Sequence, residues 1–367
     1  MSSITIVGSG IIGLSVAEFL SKNNSFKNIQ IISEDHLYSG SNAAAANLAT
    51  KGQLYGRDTH FQYKINSKKI YLNWIESLIK EIKFKVELDD LYRWGYGIDY
   101  FTTAENREKH FNRVMQNKEE LIKRNITEVA INKLGENKIQ YNNESWVNAK
   151  LLLNILNKVL VLRGVTFIKD KFDNSTLNNI LTHTSKNTII FCTGAWTKSL
   201  LTNLGFQLPK KMQQKERLTF GTTFFGKNIF ENFNNDFVLQ EIVSENLKKK
   251  ITFSGNSNCH YLSSSSIKVN DINFFDEELL KNKNAEILSL SKVSISNSPL
   301  LKHDSIINKM QGYRVGYGHE ELVVEKIYSN DKNLNIFVCA GAHKSGYLFA
   351  PVVGSILQNL QLDLFKF

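Results

Sequence analysis

The chain has 367 residues, of which 42% are hydrophobic and 22% charged, the composition of a folded globular protein long enough for two domains and a large core. Its formal charge of +10 is carried mostly by lysine and spread along the chain; this excludes a single basic arm and reads as solvated surface, the run Lys248-Lys249-Lys250 included. No segment reaches the ~18 apolar residues of a spanning helix, and Cys192, Cys259 and Cys339 lack metal-type spacing, which sets aside a disulfide framework and points to reducing, cytoplasmic surroundings.

Residues 4–7 (ITIV) predict a short buried strand, and IIGLSVAEFLSKNN after it places Ile11, Leu14, Ala17 and Leu20 at helical spacing. The apolar start lacks a basic n-region, so it is not read as a signal peptide. NIQII at 28–32 predicts a second strand, giving a parallel strand–helix–strand unit. HFQYKINSKKIYLNWIESLIKEI (60–82) and AKLLLNILNKVLVLRG (149–164) predict long amphipathic helices, the second ended by Gly164. GVTFI and NTIIFCTG follow without alternation, as in a parallel sheet covered on both faces. Residues 85–144 mix polar, aromatic and charged positions. Residues 206–309 hold RLTFGTTFF, DFVLQEIV, KKITFSG and SIKVND, several alternating with period two as half-buried antiparallel strands do. Near the end, NLNIFVCAG predicts a buried strand, AGAHKSGYLFAP a glycine-bracketed loop, and PVVGSILQNL a helix with Pro351 in its first turn.

Gly8, Gly10 and Gly13 stand as G-S-G-I-I-G, with Ile11 and Ile12 between them, at the junction of the first strand and its helix. The first glycine permits the tight turn, the second lets backbone approach a pyrophosphate, and the third lets the helix pack on the strand. Glu34, just past the second strand, is placed to accept hydrogen bonds from a ribose. The expected fold class is therefore α/β, a Rossmann-type dinucleotide-binding domain built from 1–84, 145–205 and 310–367. A mainly antiparallel β-sheet domain from 85–144 and 206–309 is inserted in it, as the substrate domain. The glycine pattern alone does not separate a nicotinamide from a flavin dinucleotide. No Cys-x-x-Cys, His-Glu-x-x-His or Walker pattern is present, which leaves metal hydrolysis and phosphoryl transfer without footing.

Further segments narrow this: IQIISED, SGSNAAAANLA (39–49), TIIFCTGAWTKSLL (188–201), KMQGYRVGYGHEELVVEKI (309–327) and GAHKSGYLFAP. In their order and spacing the chain resembles the family of D-amino-acid oxidase, glycine oxidase and related flavoenzymes. The resemblance implies noncovalent FAD, with Glu34 at the adenosine ribose and Ser39, Ser41 and Asn42 near the pyrophosphate. Asn47 stands where relatives often carry glycine. Thr193, Gly194, Ala195 and Trp196 would pack beside the dinucleotide. The loop of Lys344, Ser345, Gly346, Tyr347 and Leu348 would direct backbone N–H groups at the flavin O2 edge, where they favour the charge of the reduced ring. His343 is open between a flavin contact and a loop residue satisfied by backbone. Cys339, inside a strand, reads as a small core residue rather than a flavin attachment point.

The resemblance also implies the chemistry. A hydride passes from a substrate C–H to flavin N5, the imine product hydrolyses, and an acceptor, expected to be O2, reoxidises the flavin. Arg314 matches the arginine that grips the substrate carboxylate bidentately, with Val315 in place of the usual proline; the other reading of Arg314 is an ion pair with Glu320 or Glu321. Tyr261, Tyr313 and Tyr347 are candidate supporting aromatics, Tyr347 first among them as a catalytic residue. The leading expectation is an oxidase or dehydrogenase of a small amino acid or secondary amine. Two others stand beside it: oxidation of a carboxymethylaminomethyl group on a tRNA wobble base, which the positive charge would suit, and a flavoprotein acting on a carrier-bound substrate.

Overall fold

The computed structural model describes residues 3–22, 28–34, 37–49, 58–83, 85–123, 130–182, 187–244, 249–272, 275–295, 297–303, 305, 307–318, 322–327 and 334–364. The chain opens with β1 (Ser3–Val7), α1 (Ile11–Ser21) and β2 (Asn28–Ile32), and β1 runs parallel to β2 with Val7 beside Ile32. Next come α2 (Asp58–Glu81), α3 (Leu88–Leu91), β3 (Tyr92–Phe101), α4 (Ala104–Lys123), β4 (Ile131–Leu134) and β5 (Lys138–Val147). The N-terminus of α5 (Ala149–Leu162) is fixed by Asn148, whose side chain accepts the Leu151 N–H at 3.2 Å. β6 (Thr166–Ile168), α6 (Asn174–Thr182), β7 (Asn187–Phe191) and α7 (Thr197–Asn203) complete the first half. The second half begins with β8 (Glu216–Gly226), β9 (Phe230–Glu231), β10 (Phe237–Ser244), β11 (Lys249–Gly255) and β12 (His260–Val269). It ends with α8 (Glu277–Leu290), β13 (Leu300–Leu301), β14 (Asn308–Tyr317), β15 (Val323–Ile327), β16 (Leu334–Ala340) and α9 (Gly346–Leu364).

Two large sheets result. The first has the order β15-β16-β7-β1-β2-β6. Its strands are parallel except for β15, which is antiparallel at the edge. All five residues of β7 are buried, because both faces of this sheet are covered, as the unbroken apolar runs require. On one face Ile4, Ile6 and Ile190 pack with Leu14, Trp74, Leu152 and Val353 of the helices. On the other, Val7, Ile189 and Phe191 share a core with Leu218, Phe220 and Tyr313 of the second sheet.

The second sheet has the order β14-β8-β12-β11-β10-β3-β5-β4, antiparallel throughout except for the parallel β10–β3 pair. It unites strands from 85–144 with strands from 206–309. It also takes in β14, which the sequence division counts with the dinucleotide-binding segments; β14 pairs with β8 along its whole length, from Asn308 opposite Phe225 to Tyr317 opposite Glu216.

Two local expectations are corrected. Pro351 lies inside α9, past its first turn, where it removes the N–H that would bond to the Tyr347 carbonyl four residues back. That carbonyl instead accepts the Tyr71 hydroxyl at 3.1 Å, and the Leu348 and Ala350 carbonyls accept the Ser67 and Ser15 hydroxyls. Lys250 is not a solvated loop edge: on β11 it reaches Asp99 Oδ2 and Glu241 Oε2, both at 3.2 Å.

Charge inside the helical layer is matched closely. Glu18, fully buried and the one charged residue of α1, accepts the Trp74 indole N–H at 2.9 Å and pairs with Lys22 at 2.8 Å and Arg163 at 3.1 Å. One carboxylate thus ties α1 to α2 and to the end of α5. Glu18→Gln is expected to lower the unfolding free energy by about 2 kcal/mol, the scale of a lost charged hydrogen bond, measured by urea denaturation.

A pH effect follows from the second sheet. His260 is buried, its Nδ1 accepting the Phe230 N–H at 3.3 Å, with the Phe230 and Phe233 rings 5.1 and 4.4 Å away. Burial first, and then Lys302, lower its pKa from 6.5 to about 4. Between those values the unfolded chain binds a proton that the folded chain does not. Stability is therefore expected to fall as pH drops from about 6.5 toward about 4, by up to about 3 kcal/mol from this residue. His260→Phe should flatten that slope in a pH series of unfolding midpoints.

Candidate active site

A cavity of about 1580 Å³ opens at the C-terminal ends of β1, β2, β7 and β16, lined there by Val7, Ile32, Cys192 and Ala340, and extends beneath β8 and β14. Ligands of open α/β sheets bind at these strand ends, and the volume exceeds the ~1,000 Å³ of ordinary small-molecule pockets. Two glycines shape its floor. A Cβ on Gly13 would lie 2.0 Å from the Gly8 carbonyl oxygen, and one on Gly8, at φ +107, would lie 2.6 Å from the Cys192 carbonyl oxygen. Helix α1 can therefore pack onto β1 and β7 only without side chains at these points. Its N-cap, Gly10, supplies no side-chain acceptor and its first turn has no acidic residue, so its end is left to an external anion. The Ser41 hydroxyl stands over this end, accepting the Ile11 N–H at 3.0 Å.

The predicted cofactor residues converge. Gly8, Gly10, Ile11, Ile12, Glu34, Ser39, Ser41, Asn42, Thr193, Gly194, Trp196, Lys344, Ser345, Gly346 and Tyr347 all line this one cavity. Trp196 follows a 3₁₀ turn begun by Gly194 at φ +60, and its ring meets Tyr313 edge-on at 5.9 Å. In the cavity floor the Cys192 thiol is pushed well up by a hydrogen bond with Cys339 and by burial.

Other positions differ from expectation. Gly13 packs under the turn without lining the cavity. Leu348 also lies outside the lining; its side chain is in the helical core. The Ser345 N–H is committed to the Ala342 carbonyl at 2.8 Å, because the loop tightens into a turn before α9 begins, so it is not a donor to the cavity. The Tyr347 hydroxyl donates to the Ser41 carbonyl at 2.9 Å and its side chain is buried; Tyr347 clamps the small-residue segment and has no proton directed at a ligand. Tyr261 is core, packed on Trp146 and Phe225 with its hydroxyl toward Asn148. His343 has φ +44 and donates its N–H to the Val315 carbonyl at 3.0 Å, while its side chain lines the cavity.

Arg314 lines the cavity from β14 with no charged partner among the described residues, and burial lowers its pKa. The alternative partners Glu320 and Glu321 lie outside the described residues. Sequence reasoning missed Lys150, Asn154 and Asn157, which line the cavity from one stripe of α5; their helical spacing was the available signal. It also took Asn47 only as a departure from pattern. Asn47 lines the cavity, and its buried Oδ1 has no hydrogen-bond partner, which suits a ligand donor.

Comparison with known proteins agrees with this geometry. The model of the DAO family, FAD dependent oxidoreductase, matches residues 3–360. No curated protein matches in sequence. Among solved structures, glycine oxidase from Geobacillus kaustophilus superposes with TM-score 0.72 at 15% identity, covering 98% of this chain and 94% of that one. Iminodiacetate oxidase from Chelativorans sp. BNC1 gives 0.71 at 14% identity, with 98% and 95% covered. Dithionite-reduced L-alpha-glycerophosphate oxidase from Mycoplasma pneumoniae, with FAD bound, gives 0.71 at 14%, with 100% and 96% covered. At these identities the likeness is one of fold. Among the described residues no helix is long and apolar enough to cross a membrane.

The turn glycine offers a direct test. Gly13→Ala must displace the Gly8 carbonyl, an overpacking cost of about 1–3 kcal/mol. FAD is expected to bind about 10- to 100-fold more weakly, read by titration of flavin fluorescence.

Proposed function

The chain belongs to the DAO family of FAD-dependent oxidoreductases, and on that premise we propose that it oxidises the C–N bond of a small amino acid or secondary amine whose carboxylate is held by Arg314. The observation that carries this reading is the guanidinium itself, desolvated, facing the cavity and without a charged partner among the described residues. When bound, FAD would supply the hydride acceptor, with dioxygen as the expected oxidant that restores it. The protein's part is placement. Arg314 offers a planar fork that fixes a carboxylate in two places and so aims the α-carbon. The N-terminus of α1, free of acidic side chains and with Ser41 on its Ile11 N–H, suits the pyrophosphate. Tyr347, through Ser41, holds the segment along which the dinucleotide lies. Loss of the hydride and of the amine proton leaves an imine, and water hydrolyses it after release, cleaving the C–N bond.

Arg314→Met is expected to raise KM for the preferred amine at least about 100-fold, the worth of a bidentate charged contact, while the visible spectrum of bound flavin stays unchanged. Oxygen consumption with glycine, sarcosine and D- and L-amino acids measures this; a variant with wild-type KM would remove Arg314 from the site.

A further inference from the structure

The two strands that carry Arg314 and its neighbour hold a second unmatched arginine. In the β8–β14 register Arg314 stands opposite Thr219 and Gly316 opposite Arg217. Arg217 and Arg314 are therefore diagonal neighbours, with Cα atoms roughly 7–8 Å apart, on the same face of the sheet. That is the face on which Met310, Gly312, Gly221 and Thr223 line the cavity. Arg217 Nε and Nη2 are buried with no hydrogen-bond partner, and so is Thr219 Oγ1. A Cβ on Gly316 would lie 3.0 Å from Arg217 Nη2 and 3.5 Å from His343 Cβ. The Arg217 guanidinium thus lies across β14 in the space a side chain on Gly316 would fill, near His343 and, with Thr219, directly behind the residues that line the cavity.

Two other charge clusters are matched: Glu18 has Lys22 and Arg163, and Lys250, itself in the cavity wall, has Asp99 and Glu241. Two arginines at diagonal positions on one face of the sheet, neither with a carboxylate partner among the described residues, are a costly arrangement unless an anion answers them. One substrate carboxylate would occupy Arg314 and leave the donors of Arg217 and Thr219 unanswered. We infer that the substrate carries a second anionic group, a carboxylate or a phosphate, received by Arg217 and Thr219 beside Arg314. This deepens the proposed reading and rests on it: the amine is a diacid.

The test uses the FAD-loaded protein and ligands that lack an amine, read by calorimetry: propionate, succinate and 2-phosphoglycolate. Wild type is expected to bind succinate or phosphoglycolate at least about 10-fold more tightly than propionate, the worth of one further charged contact, and the order of the two identifies the second group. Arg217→Met should abolish that advantage while propionate affinity and FAD content stay unchanged; Arg314→Met should weaken all three ligands. Equal wild-type affinity for mono- and dianions overturns the inference, as does an Arg217→Met protein that weakens all three alike or loses FAD. Should Arg217→Met fail to fold, Arg217→Lys, which keeps the charge and loses the fork, and the wild-type ranking decide the matter. A diacid preference in a protein that oxidises no amine would sink the C–N reading alone, whereas oxidation of glycine-like monoacids with no such preference would sink this one alone.

Discussion

Two sheets meet in this molecule where backbone touches backbone. A Cβ on Gly40 would lie 2.4 Å from the Tyr313 carbonyl oxygen, and one on Gly312 would lie 2.7 Å from that of Ser39. The bare chains approach closely enough for the Tyr313 N–H to donate to the Tyr38 carbonyl at 3.1 Å. Tyr38, Phe220, Phe275 and Tyr313 close over the seam, the Phe220 and Phe275 rings stacked at 4.1 Å. On one side of it lies the segment from Ser39 to Asn47 along the dinucleotide cleft. On the other lies β14, carrying Arg314. The spacing between that segment and Arg314 is set by two absent side chains, and a methyl group at either position would move one relative to the other.

Polar groups divide into two populations around that seam. On β10 and β11, charge is answered from several directions. Burial alone would lower the Lys250 pKa, yet Asp99 and Glu241 together raise it; the Thr252 hydroxyl donates to Glu241 at 3.0 Å and the Tyr141 hydroxyl to Asp99 at 3.2 Å. Within and behind the cavity, Arg314, Arg217, Thr219 and Asn47 are left wanting partners. Where such a group lies in the cavity wall, as Asn47 does, a ligand can complete it.

The dinucleotide half was legible because its signals are local. Glycines between a strand and a helix report a turn and a close packing at that very place, and unbroken apolar runs such as NTIIF report a sheet covered on both faces. That Arg314 would face the cavity was anticipated from its surrounding segment. What stayed hidden depends on partners distant in sequence. That β14 joins the second sheet is decided by ten residues of register with β8. Lys250 looked like one of three surface lysines until β3 and β10 brought Asp99 and Glu241 against it. Tyr347 reads from sequence as a loop aromatic; its hydroxyl is claimed by a carbonyl 306 residues away. Arg217 had no signal at all, since only the pairing with Gly316 gives it room.

The proline within α9 has a thermodynamic corollary. Because the Tyr347, Leu348 and Ala350 carbonyls accept hydroxyls from Tyr71 and Ser67 of α2 and Ser15 of α1, the C-terminal helix cannot fray at this end without stranding polar groups in two others. These three helices melt as one cooperative block, so amide exchange in α1, the first helix of the chain, should report on the integrity of the last.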